Sequence, residues 1–133
     1  MTNDTGVSLT RDGPVAIITI NRPHAKNALD SGATQGLKDA FERFDHDDSA
    51  LVAVLYGANS TFCPGADLKE LSDEASYVAW AGSLNRVLGK LLSKPVLGAV
   101  EGHAVAGGLS VAWCCDIRIV SKLYLIHISH CLQ

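Results

Sequence analysis

The chain contains two glycine turns, FCPGADLK at residues 62–69 and EGHAVAGGLS at residues 101–110. Each turn follows an apolar run typical of a strand and precedes a run typical of a helix. A turn of this kind leaves backbone N–H groups at the start of a helix, where they can bind an anion or a developing negative charge. If the two turns face each other, they form a pair of donors for one carbonyl oxygen. Such a pair stabilises an enolate or a tetrahedral oxyanion.

Five segments have the composition and the flanking turn signals of strands. In chain order they are residues 7–10, 15–20, 51–56, 96–100 and 116–120. The turn sequence Asp12-Gly13-Pro14 joins the first two as a hairpin. The run at residues 51–56 is almost continuously apolar, which is typical of a strand covered on both faces.

Three helices are predicted between these strands. The first is capped by Asp30 or Ser31, and its apolar residues recur at three- and four-residue spacing. The second carries an apolar stripe from Tyr77 to Leu92 and ends before Pro95. The third is a short buried helix at residues 109–115. The alternation of strands and helices predicts an α/β fold.

The composition limits the class of protein. A chain of 133 residues with 47% hydrophobic residues fits one domain with an ample core. A net charge of −3, without a run of lysine or arginine, argues against nucleic acid or a membrane surface as a partner. The polar start resembles neither a signal peptide nor a mitochondrial address, and no apolar run reaches the ~20 residues that span a bilayer. The four cysteines form no Cys-x-x-Cys pair, so we expect reduced thiols in a cytoplasmic protein.

Four blocks of the sequence, at residues 20–29, 62–69, 99–108 and 115–118, occur together in one order and spacing. In this they resemble the enoyl-CoA hydratase/isomerase family, also called the crotonase superfamily. The resemblance covers residues 7–121 and implies a spiral of repeated ββα units that assembles as a trimer or a hexamer. It also implies acyl-CoA thioesters as substrates. Coenzyme A is then part of the substrate, and no separate cofactor or metal is expected.

The resemblance assigns roles to residues of both glycine turns. The backbone N–H groups of Ala66 and Gly107 match the two donors of the family's oxyanion hole, and a helix start at Gly107 adds a positive dipole end. Losing one such donor typically costs ~10²–10³ in rate. The residues that match the family's contacts with coenzyme A are Ala66, Asp67, Leu68 and Lys69 in the first turn and His24, Ala25 and Lys26 in an earlier loop. Both lysines are candidate partners of a phosphate of coenzyme A.

Each of these residues also has a purely structural interpretation. The glycines of the second turn can serve only a tight turn packed against a strand. Asp67 can cap a helix or accept hydrogen bonds within its turn. Lys26 and Lys69 can be solvated surface side chains. These alternatives stay open at the level of sequence.

The chain departs from the family at Ser110. Hydratases of the family use two glutamates to hold and activate water, and the first lies three residues after the glycine that matches Gly107. Ser110 occupies that catalytic position, and a serine hydroxyl near pH 7 is neither a carboxylate base nor a useful acid. We therefore expect simple hydration to lack one of its two groups.

The chain also departs from the family in length, because family members run to about 250–300 residues in one domain. We expect residues 7–121 to form the N-terminal part of a crotonase-like domain that is truncated here. Residues 1–6 are expected to be a flexible N-terminus and residues 122–133 a tail unlike the family. The tail contains His127, His130 and Cys131, whose loose spacing favours an incidental cluster over a zinc site.

Two classes of function compete. The leading hypothesis is a family member that acts on acyl-CoA thioesters through an enolate, in a chain that is incomplete for catalysis. The alternative is a non-catalytic acyl-CoA-binding or assembly subunit, which Ser110 and the short length favour. A third possibility is a fragment that folds poorly because its apolar stripe stays partly uncovered. A P-loop and a serine hydrolase both fail, because Gly108-Leu109 replaces the required Lys-Ser/Thr and Ser110 lies in no G-x-S-x-G elbow.

Overall fold

The protein forms one five-stranded sheet with three α-helices, in a computed structural model that describes residues 4–122. The elements in chain order are β1 (Val7–Asp12), β2 (Val15–Ile20), α1 (Ser31–His46), β3 (Val52–Gly57), α2 (Glu74–Leu88), β4 (Val96–Val100), α3 (Gly107–Trp113) and β5 (Ile117–Val120). A short 3-10 turn, Pro23–Ala25, follows β2. The first three residues and residues 123–133 lie outside the described residues, and with them the expected incidental cluster of His127, His130 and Cys131.

The sheet has the strand order β1-β2-β3-β4-β5. The first two strands are antiparallel, with Asp12 opposite Val15 and Gly13 at a φ of 56° in the turn, so the predicted hairpin is confirmed. The other three pairs are parallel, as expected where helices connect successive strands. The α/β fold predicted from the alternating pattern is thereby confirmed.

Helix α1 begins where the sequence predicts. The carboxylate of Asp30 accepts a hydrogen bond from the N–H of Ala33 at 2.6 Å, which makes Asp30 the N-cap. The apolar side of α1 is buried together with one face of the sheet, in a core that includes Leu37, Phe41, Phe44, Ile18, Ile20 and Leu55. This core fixes the positions of the loops that follow β2 and β3.

The predicted stripe of α2 is only partly correct. Trp80 and Leu84 are buried, but the helix ends at Leu88 and the side chain of Leu91 is 95% exposed. The N–H of Gly89 closes the last turn on the carbonyl of Asn85, and the chain then leaves the helix axis. Leu91 therefore no longer lies on the helix face that the periodicity predicts.

The expected coverage of β3 on both faces is also wrong. Alternate residues of a strand point to opposite faces, and only the face with Ala53, Leu55 and Gly57 is buried. Tyr56, on the other face, is 36% exposed.

Within residues 4–122, no helix is long and apolar enough to cross a membrane.

Candidate functional site

The two glycine turns lie side by side. The N–H of Cys63 donates to the carbonyl of His103 at 2.9 Å, and the N–H of Val105 donates back to the carbonyl of Cys63 at 3.3 Å. These bonds form a short parallel bridge between Cys63 and Ala104. The structure therefore brings together the two segments that the sequence singles out.

Glycine is required where these turns meet. A Cβ at Gly108 would lie 1.9 Å from the carbonyl oxygen of Cys63, which is a backbone atom that cannot move aside. A Cβ at Gly65 would lie 3.0 Å from the backbone nitrogen of Gly107. These glycines thus have a structural role, and the close packing that they allow places Gly65 against Gly107.

The backbone around Ala66 is fixed on one side by Leu29. The N–H of Leu29 donates to the carbonyl of Gly65 at 2.7 Å, and the N–H of Asp67 donates to the carbonyl of Leu29 at 2.9 Å. These two bonds form a parallel bridge between Leu29 and Ala66, in which the N–H of Ala66 lies on the side away from Leu29. Among the hydrogen bonds of residues 4–122, neither the N–H of Ala66 nor that of Gly107 has an acceptor.

Ala106 holds the second turn in an unusual conformation. Its φ of 49° and ψ of −126° lie in a region that favours glycine, and it directly precedes the first residue of α3. Strain of this kind persists only where the surrounding structure enforces it. The sequence gives no signal of this strain, because an alanine at that position is compatible with an ordinary turn.

A buried arginine links the first turn to α1. The Arg22 side chain is 8% exposed, and its guanidinium forms ion pairs with Asp30 and with Asp67, the latter at 3.3 Å. It also donates to the carbonyl of Ala28. Asp67 additionally accepts from the N–H of Lys69 at 3.2 Å, so the turn-acceptor role considered for Asp67 is present. Arg22 lies in the first family-like block, but nothing local in the sequence reveals its distant partner Asp67.

Asn27 is a second anchor that sequence analysis missed. It is 1% exposed, adopts a φ of 66° and accepts a hydrogen bond from the N–H of Arg22 at 2.8 Å. Its amide donates to the carbonyls of Ala58 at 2.8 Å and Thr61 at 2.6 Å. Asn27 therefore fixes the loop after β2 against the segment that leads into the first turn.

The residues predicted to contact coenzyme A lie around these anchors. His24, Lys26, Leu68 and Lys69 are exposed, whereas Ala25, Ala66 and Asp67 are half-buried. Leu68 is an apolar side chain that is 74% exposed. Neither Lys26 nor Lys69 takes part in an ion pair among the described residues, so both are solvated cations on this surface.

Ser110 and Cys63 contribute little acid–base capacity. Ser110 lies on α3 with its side chain exposed. The Cys63 thiol is buried within the first turn, and burial raises its pKa to about 12. Cys63 therefore stays protonated near neutral pH and acts as a structural residue. No cluster of three or more metal-binding side chains occurs in the part of the chain that the structure describes.

A cleft of about 640 Å³ lies between α1 and α2. Its apolar lining includes Phe41, Leu71, Trp80 and Val87, and charged side chains such as Lys38 and Glu70 lie at its margin. The volume is within the ~300–1,000 Å³ of small-molecule pockets. Trp80 also contacts the second glycine turn, so this residue borders both the cleft and the turn.

Comparison with known proteins agrees with these features. The sequence profile of enoyl-CoA hydratase/isomerase matches residues 10–126. This chain belongs to the enoyl-CoA hydratase/isomerase family. It is 38% identical to the short-chain-enoyl-CoA hydratase of Clostridium acetobutylicum over 87% of this chain and 46% of the relative. It is 37% identical to the (E)-benzylidenesuccinyl-CoA hydratase of Thauera aromatica over 86% of this chain and 46% of that protein.

Solved structures show the same fold. The enoyl-CoA hydratase/carnithine racemase from Magnetospirillum magneticum superposes with a TM-score of 0.83 at 36% identity, over 90% of this chain and 47% of that one. PA4980 of Pseudomonas aeruginosa gives a TM-score of 0.84 at 31% identity, over 93% and 56%. The crotonase-like fold predicted from the sequence is confirmed, and the chain spans about half the length of the curated relatives it matches.

Proposed function

We propose that this chain binds an acyl-CoA thioester and polarises its carbonyl with the backbone N–H groups of Ala66 and Gly107. Two donors aimed at one oxygen stabilise the enolate that forms when a base removes a proton from the α-carbon of the thioester, or when a nucleophile adds to the β-carbon of an α,β-unsaturated thioester. The observation that supports the proposal is the close packing of Gly65, the residue before Ala66, against Gly107, together with the lack of an acceptor for the N–H of Ala66 or of Gly107 among the described residues.

The surroundings support a thioester of coenzyme A as the ligand. Lys26 and Lys69 are solvated cations near the two turns and are suited to a phosphate. His24, Ala25, Asp67 and Leu68 complete the contact surface that we assign to coenzyme A. Both named relatives are hydratases of CoA thioesters. Coenzyme A enters as part of the substrate, and no further cofactor is required.

Ser110 makes binding and polarisation a better proposal for this chain than hydration. A hydratase needs a group that takes a proton from water, and the Ser110 hydroxyl is a poor base at neutral pH. We therefore propose that residues 4–122 bind and polarise the thioester, whereas water addition needs groups that these residues do not supply. A non-catalytic acyl-CoA-binding or assembly subunit is the second candidate, and serine in place of glutamate at position 110 favours it. A cytoplasmic location belongs to this proposal as well, and a trimer or hexamer is expected of full-length family members rather than of this chain.

The test uses a thioester whose absorption reports carbonyl polarisation. In 4-(dimethylamino)cinnamoyl-CoA the chromophore is conjugated with the carbonyl, so donors to the oxygen shift the absorption to longer wavelength. The intact chain should bind this probe with a red shift. Ala66→Pro removes one N–H and should reduce the shift, because the carbonyl oxygen then loses one of its two hydrogen bonds. The loss of one such donor typically lowers an enzyme's rate by ~10²–10³.

The matched control is Glu74→Pro at the first residue of α2, where proline is well tolerated. This variant should keep the full red shift and shows that an added proline does not itself disturb the fold. Equal shifts in the intact chain and in Ala66→Pro would contradict the assignment of Ala66.

To separate the two candidates, crotonyl-CoA is added to the chain and to Ser110→Glu. Hydration by Ser110→Glu alone would favour an enzyme that lacks one group, and hydration by neither would favour a binding subunit.

A further inference from the structure

We propose that Trp80 determines which acyl chains the site accepts, by closing the passage from the glycine turns into the cleft between α1 and α2. The inference rests on the proposed function, because it takes the N–H of Gly107 as a donor to the thioester oxygen. It adds a substrate class, namely CoA thioesters of short acyl groups.

The first step concerns the contact between Trp80 and Gly107. A Cβ at Gly107 would lie 2.8 Å from Cη2 of Trp80 and 3.4 Å from Cδ2 of Leu84. A donor binds its oxygen at 2.7–3.1 Å. The first carbons of the acyl group are one or two bonds from that oxygen, so they come within reach of the edge of the indole ring.

The second step concerns how firmly the ring is held. Trp80 is 6% exposed, and its Nε1–H donates to Oγ1 of Thr34 in α1 at 3.1 Å. The Thr34 hydroxyl in turn donates to the carbonyl of Asp30, the cap of α1, at 2.8 Å. Tyr77 packs against the same ring at a centroid distance of 5.9 Å. The indole is therefore fixed at one end by α1, and its opposite edge abuts the second glycine turn.

The third step concerns the space beyond the ring. Trp80 lines the 640 Å³ cleft, whose lining includes neither Gly107 nor Leu84. Trp80 thus borders both the cleft and the backbone of Gly107. A smaller residue would open the cleft toward the backbone of Gly107, and the apolar lining formed by Phe41, Leu71 and Val87 would then accept the carbons of a longer chain.

The experiment measures dissociation constants by calorimetry for coenzyme A, butyryl-CoA and decanoyl-CoA. These saturated thioesters bind without reacting. The intact chain should bind butyryl-CoA at least ~10-fold more tightly than decanoyl-CoA, since a few unaccommodated methylenes cost this much in a closed pocket. Trp80→Ala should abolish or reverse that preference. Trp80→Phe keeps a buried ring but loses the indole edge and should give an intermediate ratio.

Trp113→Phe is the matched control, because Trp113 is the other tryptophan and is 62% exposed on α3. This variant should keep the ratio of the intact chain. It also leaves Trp80 as the sole fluorescent indole, whose emission should change with butyryl-CoA and not with coenzyme A. If Trp80→Ala does not fold, the affinity ratio of Trp80→Phe and the emission measurement test whether Trp80 sets the preference for butyryl-CoA.

The possible failures are distinguishable. Equal affinities for butyryl-CoA and decanoyl-CoA in the intact chain, with unchanged Trp80 emission, would overturn this inference and leave the proposed function intact. A preference for butyryl-CoA that persists in Trp80→Phe and Trp80→Ala would also overturn it. Absence of binding by any thioester would overturn the proposed function and this inference with it.

Discussion

The two glycine turns pack against each other through Cys63, Ala104 and Gly108, and we call this contact the crossing. The crossing and the edge strand β5 differ sharply in packing. At the crossing, backbone meets backbone so closely that Gly108 has no room for a methyl group. At β5, all four residues are exposed, and Ile117 and Ile119 are 57% and 62% accessible. The candidate donors lie in the first region, and no element of residues 4–122 covers the second.

The two regions differ because the glycine turns are held by contacts within residues 4–122, whereas the side chains of β5 are exposed. The Ala66 and Gly107 backbones are fixed by hydrogen bonds to Leu29 and Cys63 and by the buried Arg22, all within residues 4–122. The backbone around both candidate donors is therefore held by contacts within residues 4–122. The exposed isoleucines of β5 have no such contacts, so substitutions there should change the free energy of unfolding very little.

The largest loss of stability is expected from Arg22→Met. This change leaves the carboxylates of Asp30 and Asp67 without their cation, and breaking a buried ion pair from one side costs about 3–5 kcal/mol. Urea unfolding followed by circular dichroism measures the change. Arg11→Met is the control, because the Arg11–Asp47 pair lies at the surface, where solvent screens the attraction and an ion pair contributes little to stability. Equal losses in the two variants would contradict the role given to Arg22.

Cys63 should be protected from alkylation in the folded chain. Its pKa is raised by burial from 9.0 to about 12, so its thiolate fraction near pH 8 falls by about a thousandfold. Iodoacetamide labelling read by peptide mass spectrometry should modify Cys63 only after unfolding. Stability should also decrease as the pH rises above 9.0, because the unfolded thiol then ionises while the folded one keeps its proton. Rapid labelling of Cys63 in the native chain would show that the crossing is open.

A smaller loss is expected from Gly108→Ala, which adds one methyl group at the crossing. Overpacking typically costs about 1–3 kcal/mol, and here the obstructing atom is the carbonyl oxygen of Cys63. Gly82→Ala in α2 is the matched control, since its nearest neighbour is 3.9 Å away. That control should gain about 0.5–1 kcal/mol from helix propensity. A neutral Gly108→Ala would mean that the turns do not cross as described.

The smallest effect is expected at the edge strand. Ile119→Lys places a charge on an exposed position of β5 and should change the free energy of unfolding by less than about 0.5 kcal/mol. Thermal unfolding monitored by circular dichroism provides the measurement. A loss as large as that of Gly108→Ala would show that β5 is covered, and the contrast between the two regions would then disappear.

The elements of the fold are largely predictable because their signals are local. The hairpin follows from Asp12-Gly13-Pro14, and the start of α1 follows from the capping preference of Asp30. The end of α2 was overestimated because hydrophobic periodicity continues to Leu91 after Gly89 has ended the helix. Local patterns describe which residues favour an element, but they fix its boundaries poorly.

The candidate site is less predictable because its supports join residues distant in sequence. Arg22 pairs with Asp67 across 45 positions, and Asn27 contacts Thr61 across 34. Such contacts depend on how the loops pack, which no periodicity records. The sequence nevertheless singled out both glycine turns, because their glycines mark close backbone approach. The roles of Ala66, Gly107 and Ser110 in chemistry stay predictions.

The most direct test of the paired donors is a comparison of two ligands by ¹H–¹⁵N NMR. Butyryl-CoA and the thioether butyl-CoA differ only in the carbonyl oxygen, so their difference isolates hydrogen bonds to that atom. We expect downfield shifts of the Ala66 and Gly107 amide protons with butyryl-CoA and not with butyl-CoA. Identical spectra for the two ligands at these amides would contradict it.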